Sequence, residues 1–114
     1  MQLVAGAMTV RVRVHAPLCD HRTSVEATNS PEGVLIHIES SCKNVRHYAE
    51  LLTPLLDEDM IDIRTSQVFV KAAEAGLTAT CLIPVAVINA AWAEVGNISY
   101  RLAKEKGPLC LVFE

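Results

Sequence analysis

A chain of 114 residues, 51% hydrophobic and 20% charged, has the size and composition of one soluble globular domain spanning 1–114, and not of a disordered segment. Ten Lys and Arg scattered among thirteen Asp and Glu, for a net charge of −3, do not supply the clustered basic face that nucleic acid demands, so no nucleic-acid partner is expected. The opening MQLVAGAM has no positively charged start, and LTATCLIPVAVINAAWA is broken by Thr, Pro and Asn before it reaches the ~20 apolar residues of a membrane span. The expected setting is therefore cytoplasmic, with no membrane partner.

From Met8 to His15 apolar and polar residues alternate, with Met8, Val10, Val12 and Val14 on one face of a half-buried strand. A weaker alternation at Thr23, Val25 and Ala27 predicts a second strand, TNSPEG a turn, and Val34, Ile36 and Ile38 a third strand with His37 and Glu39 outward. The short connections imply an antiparallel meander. At Ser40 and Ser41 the period changes from two to about 3.6, and Val45, Tyr48, Ala49, Leu52 and Leu55 form a helical stripe. Ser41 is the expected N-cap and Cys42 the first helical residue. Pro54 interrupts this helix, and Thr53 is placed to cap a short piece ending in DEDM.

A second helix is predicted between a cap at Thr65 or Ser66 and a stop at Gly76, and a third between Pro84 and Gly96. In the third, Val85, Ile88, Trp92 and Val95 form the expected core stripe. Ala86, Ala90, Ala91 and Ala93 leave other faces slim enough for a neighbouring element or a second subunit, which makes a homodimer one option. ISYRLAKEKG reads as a helical turn or a loop, and PLCLVF as a last, buried strand. The predicted class is α+β: a three-stranded antiparallel meander plus a C-terminal strand, with two or three helices packed on one face.

The chemistry-bearing residues are four cysteines, Cys19, Cys42, Cys81 and Cys110, with no C-x-x-C pair among them. In a reducing compartment such thiols are free, buried or metal-bound rather than bridged. The meander and the helical hairpin carry the chain up and down so that Cys19, Cys42 and Cys81 all fall at one end of the sheet. Cys42 at a helix N-terminus and Cys81 just before another would have their thiolates stabilised by the helix dipole. Three converging thiolates need a neutralising cation, so iron or zinc, or an iron–sulfur cluster, is the expected partner, with His21 as a fourth ligand or an open position.

Two other readings stay open: a thiol redox carrier or cysteine-dependent enzyme, and a structural or interaction module whose cysteines only pack. Cys110, inside the predicted strand, reads as structural. His15, His37 and His47 read as solvated, Trp92 as core, and DEDMID as a solvated acidic loop with at most weak affinity for a hard cation.

VRVHAPLCDHRTSVEA, IHIESSCKNVRHYAELL and ATCLIPVAVINAAWAEVG resemble, over residues 10–96, a family of small proteins of unknown function from methanogenic archaea and anaerobic bacteria. Its members carry a Cys after the first strand, Ser-x-Cys at the first helix and Cys before a proline at the last helix. Cys19, Cys42 with Ser40, and Cys81 with Pro84 match these positions. PLCDH departs from the family's glycine-rich cysteine turn, two residues separate Cys81 from Pro84, and the tail after Gly96 is longer. The resemblance implies a cytosolic protein of an anaerobe, supports a thiol site in which an oxygen-sensitive cluster would be tolerable, and implies no particular reaction.

Overall fold

A computed structural model describes residues 9–114. Strands β1 (Val10–Ala16), β2 (His21–Ser30) and β3 (Gly33–Ser40) form an antiparallel sheet in the order β1-β2-β3. The register pairs Val12 with Val25 and Val25 with Ile38, so the alternation read from sequence becomes one apolar face. Met8, expected in the first strand, lies outside the described residues. Val10, Val25, Ala27, Val34 and Ile38 are buried on the apolar face. The opposite face is polar and carries an Arg11–Glu26 ion pair across β1 and β2, Arg11 Nε donating at 2.7 Å.

The β2–β3 turn is held by Gly33. Its φ of +129° lies where side chains strain the backbone, and a Cβ there would stand 2.5 Å from the Leu55 carbonyl oxygen. That space is needed because Val34 and Leu55 exchange backbone hydrogen bonds of 2.9 and 2.8 Å, which lash the chain after the first helix to the outer edge of β3.

Helix α1 (Lys43–Leu51) buries Val45 and Tyr48 against the sheet. Extended chain and a short 3₁₀ turn (Asp57–Met60) lead to α2 (Gln67–Glu74), capped by the Ser66 side chain on the Val68 N–H, as its sequence signal predicts. Then come α3 (Ile83–Glu94), with Pro84 in its first turn, and α4 (Tyr100–Lys106), capped by Ser99 on the Leu102 N–H. No helix among the described residues is long and apolar enough to cross a membrane.

Three expectations are corrected. In α3 the buried residues are Ile83, Pro84, Ala86, Val87, Ala90 and Ala91, while Val85 is exposed and Ile88, Trp92 and Val95 are only partly buried. The helix is apolar all round, so periodicity cannot choose its inner face. The slim alanine side brings the helix axis close to the sheet, and the bulky side chains lie along the flanks. Trp92 then donates its indole N–H to the Met60 carbonyl at 2.7 Å.

The acidic stretch is not simply solvated. Asp59 is buried and accepts from the Leu56 N–H (3.0 Å), the Gln67 N–H (3.1 Å) and the Gln67 side chain (3.1 Å), tying the 3₁₀ turn to the start of α2. Finally, among the described residues PLCLVF forms no strand: residues 108–114 are irregular and exposed, and Cys110 is exposed with them. A strand is stable only with a partner, and none of the described strands pairs with this segment.

Two measurements follow. Tyr48, fully buried, donates its hydroxyl to the Val68 carbonyl at 2.8 Å, so Tyr48→Phe should lower unfolding stability by about 1 kcal/mol in urea titration. Burial alone would raise the pKa of Asp59, but its hydrogen bonds outweigh that and hold it below the ordinary carboxylate value. Its stabilisation is therefore complete above the unfolded-state pKa near 4 and is lost as pH falls through the lower folded value. Asp59→Asn should be less stable than the parent at neutral pH, and the gap should close in acid; a gap independent of pH would refute this role.

Candidate functional site

The junction between β3 and α1 is built by two serines. Ser40 Oγ accepts the Cys42 N–H at 3.1 Å and pairs with the Thr23 hydroxyl at 2.6 Å. Ser41 Oγ accepts the Arg22 N–H at 3.1 Å and stands 3.0 Å from His21 Nδ1, while the Ser41 N–H donates to the Arg22 carbonyl at 3.1 Å. Cys42 is thus pinned to the first residues of β2. It occupies the N-cap position itself, one residue earlier in the helix than expected, because Ser41 is committed to β2 and not to the helix end. Arg46, one turn along α1, donates its N–H to the Cys42 carbonyl and its guanidinium to the Ser40 carbonyl, both at 3.0 Å.

Cys19 lies in the tight turn that joins β1 to β2. The Cys19 N–H donates to the Ala16 carbonyl at 3.0 Å, and Asp20 takes up a left-handed φ of 57°. This places Cys19 two residues before His21 at the same end of the sheet as Cys42. Cys81 ends a turn in which its N–H donates to the Thr78 carbonyl at 3.0 Å, immediately before α3. Cys42 and Cys81 are both half-buried against the hydrophobic core, whereas Cys19 is exposed.

The electrostatics tie these positions together. Burial pushes the Cys81 thiol up from its ordinary pKa; the Ile83 N–H opposes this, and the negative charges of Cys19 and Cys42 add to it. Cys19 and Cys42 thus stand close enough to Cys81 for their charges to act on it. Burial and, secondarily, the Cys81 charge raise the Tyr48 phenol above its normal range.

The raised Cys81 pKa corrects the expectation that the α3 dipole makes this thiol a thiolate. The single N–H from Ile83 is outweighed by burial and by two like charges. Among the described residues, no three His, Cys, Asp or Glu side chains are arranged to enclose one metal ion.

His21 is exposed, with Nδ1 engaged by Ser41, so Nε2 is the nitrogen it can offer. His37 and His47 instead face carboxylates on their own elements, Glu39 and Glu50, both at 3.6 Å. Sequence reading missed Ser40, Ser41 and Arg46 as positioning residues. The doubled serine before Cys42 was the available signal, read only as a helix cap.

Fold and site together define a small α+β protein with three free thiols at one rim of an antiparallel sheet. Over residues 10–105 the chain matches the family of unknown function DUF6951, and it belongs to that family. No curated protein and no solved structure matches it at a significant level.

If the thiols share a neighbourhood, removing two should ease ionisation of the third. In the reduced protein, the pH midpoint for alkylation of Cys81 should lie above that of an ordinary thiol and fall in a Cys19→Ser, Cys42→Ser double variant. An unchanged midpoint would separate the three sulfurs.

Proposed function

We propose that this protein binds a metal centre through Cys19, Cys42 and Cys81, and that the centre is an iron–sulfur cluster with His21 or an exchangeable group at the remaining position. The observation that carries the reading is the placement of Cys19 and Cys42 at one end of the sheet, close enough to Cys81 for their charges to act on it. Thiols that repel one another as thiolates are stabilised together by a cation, and binding it releases their protons.

The lack of any C-x-x-C pair among these cysteines argues against an ordinary structural zinc site, which leaves a cluster as the preferred centre. Exposure of Cys19 and His21 leaves one side of the site open to an exchangeable ligand.

The half-burial of Cys42 and Cys81 against the core also fits a module whose thiols only pack. The same experiment separates the two. Anaerobically prepared protein should contain iron and acid-labile sulfide with broad visible absorbance. Cys19→Ser, Cys42→Ser and Cys81→Ser should each lose most of the iron, while Cys110→Ser retains it. A colourless protein that takes up neither iron nor zinc on anaerobic reconstitution would leave only the packing reading.

A further inference from the structure

Three features of the described chain share one flank of the sheet, and the metal reading does not involve them. The first is the outer edge of β1, a terminal strand of the sheet. The Tyr100 hydroxyl accepts from the Arg11 N–H at 3.3 Å and stands 3.5 Å from the Arg11 carbonyl, so the backbone groups of Arg11 point away from β2. By the two-residue alternation of an antiparallel ladder, those of Arg13 and His15 point the same way. An edge of this kind is a template for a further strand.

The second feature is an incomplete apolar cover. On the inner face of β2, Thr23, Val25 and Ala27 are buried, but beside them on β1 Val12 and Val14 remain half-exposed. The apolar face of the sheet therefore extends past its helices on the β1 side. The third is the segment after α4. Leu109, Leu111 and Phe113 alternate with Cys110 and Val112, and the large apolar residues of this stretch are 74–84% exposed. That is a short continuous apolar run of strand length, left exposed among the described residues. The segment is rooted at this same flank, because Tyr100 at the start of α4 holds Arg11.

We propose that residues 108–113 of one molecule add as a strand to the β1 edge of a second copy of this chain, forming a reciprocal dimer. The added strand pairs with the outward backbone groups of Arg13 and His15, beyond the position that Tyr100 already holds. Leu109, Leu111 and Phe113 continue the inner face beside Val12 and Val14, and Cys110 and Val112 lie over the aliphatic stems of the outer face. A second copy is the occupant because edge and segment are complementary, occur on the same chain and are joined by α4. Two molecules that meet at their β1 edges each present a tail next to the edge the other offers. Among the described residues this segment pairs with no strand of its own chain, and residues 108–114 are all exposed.

The test is the molar mass of the full-length chain by light scattering on a sizing column, with reductant present so that no Cys110 disulfide contributes. A dimer is expected. Leu109→Asp with Leu111→Asp should give a monomer with unchanged circular dichroism, since these side chains are largely exposed in the single molecule. Arg13→Pro, which removes an outward N–H that β2 does not use, should also dissociate it. A monomeric parent chain overturns the proposal, whether its tail amides exchange fast or are protected by pairing within the same molecule. A dimer that survives the double Asp substitution overturns it as well.

Discussion

Everything at the functional end of this molecule depends on how the start of β2 is tied to the end of β3. Ser40 and Ser41 bridge that gap with side-chain and backbone hydrogen bonds to Thr23 and Arg22, and they do so at the residues where the chain leaves the sheet for α1. Because Cys19 and His21 flank one side of the tie and Cys42 the other, it fixes the direction in which both connections deliver their side chains. Ser41 gives up helix capping to make it, so Cys42 rather than a serine occupies the helix start.

Cys81 comes from the connection just before α3, whose Ala86, Ala90 and Ala91 are buried. Cys81 is half-buried against the core, and burial raises its pKa. Burial and the like charges of Cys19 and Cys42 together favour the protonated form of this thiol.

The meander was legible because one-sided burial writes a period of two into Val10, Val12, Val14 and Val34, Ile36, Ile38. Caps and stops at Ser66, Pro84 and Gly96 were legible because they are local. That Cys19 and Cys42 fall at one end of the sheet also followed from counting reversals of the chain. What failed was non-local. The inner face of α3 is set by how near the helix can come to the sheet, and a helix apolar on every side carries no record of that. Asp59 looked like one more surface carboxylate because its partners, Leu56 and Gln67, are assembled only when the chain folds. The short apolar run in PLCLVF after Gly-Pro was read as a buried strand, but whether a strand forms depends on an edge that the segment itself does not specify.

The central claim is that three distant connections bring their sulfur atoms into one neighbourhood at the end of the sheet. Anomalous diffraction from the native sulfurs of the reduced protein measures this without labels or substitutions. The account predicts a triangle of peaks from Cys19, Cys42 and Cys81, with Cys110 well apart. Three peaks that face separate surroundings, with core side chains between them, would contradict it.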